Sequence, residues 1–250
     1  MRDLESLLEK AAQMIRKARS VVALTGAGIS VESGIPAFRG TQGLWEKYDP
    51  MEYAHIEALR AHPERVWAML RELQAIVENA RPNRAHLCLA RMEQLGFLRA
   101  IITQNIDHLH QEAGSRYVIE FHGSGHQLAC LSCGERMPRH MVDLSHMPPR
   151  CICGGVLKPE VVFFGEPIPW RALIQAQEES KNCDVMLVVG TSAVVAPACD
   201  MPYLAKERGA QIIEVNTEET PLTHSVTDIF LEGSAGTLLP RLMELLQAMP

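Results

Sequence analysis

With 250 residues, 47% of them apolar, the chain can bury the core of one large α/β domain, or of such a domain with a small insertion. A formal net charge of -6 excludes a surface that attracts phosphate backbones as a whole, so nucleic acid is not expected as a direct partner. No stretch of about eighteen apolar residues occurs, and Met1-Arg2-Asp3-Leu4-Glu5 does not start a signal peptide, so a cytoplasmic protein without a membrane partner is expected.

Apolar residues at Leu4, Leu7, Leu8, Ala11, Met14, Ile15 and Ala18 recur at helical spacing and predict an amphipathic helix over 4–18. The apolar run 21–24 reads as a buried strand. It leads straight into Gly26-Ala27-Gly28-Ile29-Ser30, then Ser33-Gly34-Ile35-Pro36 and Phe38-Arg39-Gly40. Small residues in such a turn let the backbone approach a diphosphate, whose oxygens the N–H groups of the turn and of the next helix start can meet. The reading is a dinucleotide site of an uncommon kind. Val31 stands where the usual fingerprint has its third glycine, and the next parallel strand, 98–103, ends in Gln104-Asn105 instead of an acidic residue. Both departures speak against a hydride-transferring dehydrogenase.

Further strands are expected at 117–121, 185–189, 211–215 and 228–231, with helices over 84–95, 169–180, 201–208 and 237–248. Strands alternating with helices predict a doubly wound, parallel, Rossmann-like sheet. Two stretches break the alternation. Residues 51–79 look helical without a strand, and 127–157 are rich in Cys, Pro and Gly, so both are expected outside the sheet as a smaller module.

The second stretch carries Cys130-Leu131-Ser132-Cys133-Gly134 and Cys151-Ile152-Cys153-Gly154-Gly155. Paired thiolates from two loops complete a tetrahedral shell around zinc, and a glycine after a pair lets backbone N–H groups face the sulfurs. Cys130, Cys133, Cys151 and Cys153 are therefore the expected ligands of one structural zinc, with His126, His140 and His146 as substitutes should a thiol fail. The second pair has one intervening residue where two are usual. Four protein ligands leave no position for water or substrate, so this metal holds structure. Cys88, Cys183 and Cys199 are expected to pack.

Ligands of an open parallel sheet bind beyond the C-terminal strand ends. Read in order, those ends are Thr103-Gln104-Asn105-Ile106-Asp107, Phe121-His122-Gly123, Gly190-Thr191-Ser192 and Val215-Asn216. They converge with the glycine turn, which makes His122 a candidate functional histidine. His55, His62, His86 and His224 have no such placement and are read as surface or packing residues; His108 and His110 are ambiguous.

In these segments, and in Val162-Phe163-Phe164-Gly165-Glu166, the chain resembles the sirtuins, the NAD-dependent protein-lysine deacylases, over nearly its whole length. The resemblance implies one catalytic unit over 1–250. Its NAD-binding domain would comprise 1–40, 80–124 and 158–250, and its small domain a helical cofactor-loop module at 41–79 and the zinc-binding insert at 125–157. It implies that NAD is consumed, giving nicotinamide, free lysine and O-acyl-ADP-ribose. Asn105 and Asp107 would line the nicotinamide pocket, with Ile35 and Ile106 packing on the ring. Phe38 would cover the sugar, Arg39 and Ser30 would steer the ribose and phosphates, and Gln104 would orient the ribose. Gly26, Ala27, Gly28, Gly190, Thr191, Ser192 and Asn216 would hold the phosphate and adenosine half. His122 would act as general base on a ribose hydroxyl, so that His122, Asn105 and Asp107 form the catalytic group. Acylated lysine peptides would enter as an added strand between Val162, Phe163, Phe164 and Gly165 on one side and the segment around Val194 on the other.

Two departures matter. Ala37 stands where many relatives carry Asp or Thr. Relatives that prefer succinyl-type groups carry a Tyr and an Arg on the helix after a Val-Trp pair; here Val66-Trp67 is followed by Leu70 and Leu73 at those positions, with Arg71 one position off. Neutral acyl groups, acetyl or longer, are expected. Mono-ADP-ribosyl transfer from the same pocket is the alternative reading.

Overall fold

The computed structural model describes residues 4–39 and 43–248. Gly40, the last residue of the Phe38-Arg39-Gly40 run, and Met1, Arg2 and Asp3 of the N-terminal reading lie outside the described residues.

The elements follow the chain as α1 (Leu4–Lys17), β1 (Val21–Thr25), a 3-10 turn (Ala27–Ser33), α2 (Leu44–Lys47), α3 (Pro50–Tyr53), α4 (Ile56–Ala61), α5 (Pro63–Asn79), α6 (Arg84–Gln94) and β2 (Ala100–Thr103). Then come α7 (Leu109–Glu112), β3 (Val118–Glu120), β4 (Gly123–Cys130), β5 (Arg136–Pro138) and β6 (Leu157–Val161). The last part holds α8 (Trp170–Asn182), β7 (Val185–Val189), α9 (Asp200–Glu207), β8 (Gln211–Asn216), β9 (Ile229–Glu232) and α10 (Ala235–Ala248).

Six strands form one parallel sheet in the order β3-β2-β1-β7-β8-β9. Every residue of β1 and β7 is buried, as expected of strands covered on both faces. Alternate side chains feed two separate cores. Val21 and Ala23 face α1, α6 and α10, while Val22 and Leu24 face α8 and α9. From β1 the chain winds outward through β2 and β3, returns to β7 and winds the other way. The β1/β7 boundary is thus the point where strand order reverses, and the crevice above it is the natural ligand position.

Helix α1 buries Leu8, Ala11 and Ile15 of its predicted stripe, with Leu4, Leu7 and Met14 partly buried, and adds Ala12 beside them. Strand β2 starts two residues later than the apolar run suggests, because the Leu98 and Phe97 N–H groups donate to the Met92 carbonyl and close α6. Helix α10 starts earlier, since the Ser234 carbonyl already accepts from the Thr237 and Leu238 N–H groups.

The small module is a three-stranded antiparallel sheet, β5-β4-β6, packed with α4 and α5 around Trp67, Leu59, Leu128 and Leu157. The Trp67 indole N–H donates to the Leu157 carbonyl at 2.9 Å, tying α5 to β6. This sheet overruns the expected insert 125–157 at both ends. Its β4–β6 ladder runs from Cys130↔Leu157 past an irregularity between Ser124 and Leu128 to Gly123↔Val161. The bulge carries the pairing onward into residues read as belonging to the large domain. Gly123 makes that junction possible. Its φ is +76°, and a Cβ there would lie 2.1 Å from the Glu160 carbonyl oxygen.

Candidate active site

A cleft of about 850 Å³ opens above the β1/β7 boundary, between the large sheet and the small module. Its floor is backbone. The Gly28 N–H donates to the Gly190 carbonyl at 2.8 Å, and a Cβ on Gly28 would meet Gly190 Cα and O at 2.8 Å. Only glycine permits the two turns to touch, and it leaves their remaining backbone facing the cleft, a surface suited to a diphosphate.

Of the predicted NAD residues, Gly26, Ala27, Gly28, Phe38, Arg39, Gln104, Asn105, Ile106, His122, Gly190, Thr191, Ser192 and Asn216 all line this cleft. The Gln104 amide donates to Thr191 Oγ1 at 3.0 Å, and the Asn216 amide donates to the Thr191 carbonyl at 2.9 Å. These two bonds lock three strand ends together. Phe38 stacks on Trp45 with 5.3 Å between ring centroids.

Ser30 and Asp107 sit beneath the wall, 1% and 7% exposed, and bind each other. The Ser30 hydroxyl donates to Asp107 Oδ2 at 2.6 Å, the Asn105 amide donates to Ser30 Oγ at 3.1 Å, and the Leu109 N–H donates to Asp107 Oδ1 at 3.0 Å. Ile35 is half-buried at the turn's end, its N–H donating to the Ser30 carbonyl.

His86, read from sequence as a surface or packing residue, completes this group and is fully buried. Its Nδ1 accepts from the Asn83 N–H at 3.3 Å, which leaves the proton on Nε2, 3.4 Å from Ser30 Oγ. Ser30 therefore gives its one proton to Asp107 and accepts from Asn105 and His86. His110 lies 4.9 Å from His86 between ring centroids, with Nε2 2.9 Å from Thr25 Oγ1. The sequence offered no strand end to place His86. Its position comes from the Asn83 cap of α6 docking against the glycine turn.

Burial holds His86 at about 4, against the pull of the Asp107 charge, and burial with the neighbouring His86 holds His110 at about 3. Both lie below the ordinary 6.5, so below that pH the unfolded chain binds more protons. The stability the two rings carry is whole above pH 6.5 and is lost as pH falls toward about 4 for His86 and about 3 for His110. By a pH of about 4 each ring removes on the order of 3 kcal/mol. Thermal melts between those limits should show the loss, and H110N should flatten the slope. An unchanged slope would contradict the assignment.

His122 is half-buried on the cleft wall. Burial pushes its pKa down, partly offset by the Gln104 carbonyl. That carbonyl lies 3.0 Å from Nδ1 and can only accept, so Nδ1 carries the proton and Nε2 is the basic atom. The ring is thus neutral and oriented at neutral pH, as a general base must be.

The wall beside it is the predicted substrate segment: Val162, Phe163, Phe164 and Gly165 all line the cleft. The Val162 N–H donates to the His122 carbonyl at 2.9 Å, the Phe164 N–H to the Ala54 carbonyl, and the Phe164 carbonyl accepts from the Ile56 N–H. On the far side Ser192 and Val195 line the cleft, while Val194 between them is 52% exposed and off the wall. Met69, Leu70 and Leu73 from α5 form an apolar end, and Arg71 is exposed and not part of it. Sequence reasoning missed Trp45, Glu32 and the start of α10 at Ser234-Ala235, all on the cleft wall.

The four predicted metal thiols come together, with all Sγ atoms within 4.8 Å of one another and pairs at 3.5, 3.5 and 3.8 Å. A tetrahedral zinc with bonds of about 2.3 Å needs sulfurs about 3.8 Å apart, so the residues fit this ion. His126, His140 and His146 are not members of the cluster.

The Sir2 family model matches residues 26–197, more than half of the chain. The chain belongs to the Sir2 family. A relative from Pyrobaculum aerophilum, an NAD-dependent protein deacylase, is 47% identical over 236 residues, covering 93% of each chain. A Sir2 homolog solved as its NAD complex is 44% identical, with a TM-score of 0.89 over 96% of this chain and 93% of that one. A substituted Sir2 protein solved with a deacetylated p53 peptide and 3′-O-acetyl ADP ribose is 36% identical, with a TM-score of 0.90 over 95% and 97%.

Proposed function

We infer that this chain is an NAD-dependent protein-lysine deacylase that removes neutral acyl groups and yields nicotinamide and O-acyl-ADP-ribose. The observation that carries this reading is the neutral, oriented His122 standing between a glycine cradle and an apolar, strand-edged wall. Pure dinucleotide binding needs no general base. The cradle fits NAD by its close glycine packing, and the Sir2-family relatives described above carry NAD and acetyl ADP ribose.

When bound, NAD supplies an electrophilic ribosyl carbon with nicotinamide as its leaving group. The protein does the rest. At these turns the N–H groups of Gly26, Gly28 and Gly190 already donate to the Val189, Gly190 and Val215 carbonyls, so those of Ala27, Thr191 and Ser192 would hold the diphosphate, and Asn216 the adenosine side. Gln104, fixed by Thr191, would orient the ribose. Asn105 and Ile106 would face the nicotinamide side, with Asp107 behind them, bonded to Ser30 and set near His86, as the acidic group of that pocket. Phe38, backed by Trp45, would exclude water from the sugar. His122 Nε2 would take the proton of a ribose hydroxyl, a contribution typically about 10²–10⁴-fold. Residues 162–165 and the segment around Val194 would bind the peptide as an added strand, which explains how main-chain bonding can serve many sequences.

The proposed working unit is the whole chain, with the large domain, the helical module and the zinc-bearing insert meeting at this cleft. The proposed setting is the cytoplasm, with acylated proteins as partners and no direct nucleic-acid or membrane contact. The net charge of -6 speaks against a direct nucleic-acid partner, and among the described residues no helix is long and apolar enough to cross a membrane.

Leu70 and Leu73 offer no partner to a carboxylate, and burying one unpaired costs several kcal/mol. Mass spectrometry of acetyl- and succinyl-lysine peptides incubated with NAD should show deacylation of the first at least about 100-fold faster than of the second. A succinyl preference would overturn the neutral-acyl reading. A peptide gaining the mass of ADP-ribose would favour ADP-ribosyl transfer instead.

A further inference from the structure

The geometry points to Lys158 as a positioning residue: clamped to Glu166, it fixes both ends of residues 162–165, the segment against which the acylated peptide adds. This rests on the deacylase reading and identifies what builds its substrate edge.

Lys158 lies on β6 and is only 8% exposed. Its ammonium donates to the Val161 carbonyl at 3.0 Å and to the Glu166 carboxylate, and stands 5.0 Å from the centre of the Phe163 ring. The same Glu166 oxygen accepts the Phe163 N–H at 3.0 Å, while the Glu166 N–H donates to the Phe163 carbonyl at 3.0 Å. One buried cation thus joins both ends of the segment and covers a ring within it. The segment's inner edge is bonded to His122 on one side and to Ala54 and Ile56 on the other. Its alignment against the general base therefore depends on where Val161 and Glu166 are fixed.

A buried ion pair contributes little net stability compared with an apolar substitute. Yet its neighbours Leu157, Pro159 and Val161 are buried, and an apolar residue would fit position 158 as well. Directional bonds supply what an apolar residue does not: a specified separation between two backbone points. Glu166 retains some solvent access, with its side chain 23% exposed, so it can hydrate when its partner is removed. K158M keeps most of the aliphatic stem and should fold.

The test uses the full zinc-loaded chain and two readouts. Amide hydrogen exchange over 162–166, measured without substrate, should be faster in K158M than in the parent. In steady-state kinetics the KM for an acetyl-lysine peptide should rise about tenfold or more, the effect of losing a charged hydrogen bond. The KM for NAD should stay within about twofold on the same scale. K158R should restore most of both properties, and E166Q should shift both in the direction of K158M. Unchanged exchange across the segment, or equal rises in the two KM values, would overturn the assignment. Failure of the parent to deacylate would count against the function itself, whereas the exchange readout judges the clamp without it.

Discussion

H122A should bind NAD within about threefold of the parent yet deacylate 10²–10⁴ times more slowly, the usual contribution of a positioned general base. Among the described residues the ring makes one polar contact, through Nδ1 to the Gln104 carbonyl, and that oxygen turns to water at small cost when the ring is removed. The cradle formed by Gly28 and Gly190 is backbone and does not depend on it. Binding and chemistry therefore separate. The parent's rate should also fall on acidification with an apparent pKa below 6.5, since burial favours the neutral ring. Calorimetric titration of NAD beside single-turnover deacylation measures both. An H122A variant as fast as the parent would remove His122 from its role.

Zinc removal should have the second large effect, and it should act through structure. Apparent binding energies of structural zinc run to about 10–16 kcal/mol, far more than a loop-rich module of this size can replace. The consequence reaches the cleft through one ladder. Cys130 pairs with Leu157 at the zinc end of β4 and β6, and the same pairing ends at Gly123 and Val161, beside His122 and the peptide segment. Chelation, or C151A, should strip amide protection from β4 and β6 and abolish turnover. The parallel sheet, with two cores of its own, should keep its protection. Hydrogen exchange and metal analysis together check this. A metal-free protein with protected β4 and β6 would contradict it.

The parallel sheet was legible because each of its strands is a short apolar run between turn signals, and because crossover rules leave few ways to order such runs. The polar strand ends could be read as one site for the same reason. The small sheet was not legible. β4 begins Gly-Ser-Gly-His-Gln, a sequence of low strand propensity, and it pairs because zinc, the bulge and Trp67 hold its neighbours in place. The zinc ligands themselves were readable, since thiol spacing carries the chemistry directly. His86 and Trp45 were missed because neither follows a strand. Each reaches the site only when its helix docks, and such contacts leave no local pattern. Leu70 and Leu73 were found only by likeness to relatives, and the exposed Arg71 shows which face of α5 meets the cleft.

The most direct measurement follows an isotope-labelled acetyl group from a lysine peptide during turnover with NAD. The label should leave on ADP-ribose, with one nicotinamide released for each lysine freed. Label appearing as free acetate from the first turnover, with NAD intact, would contradict it.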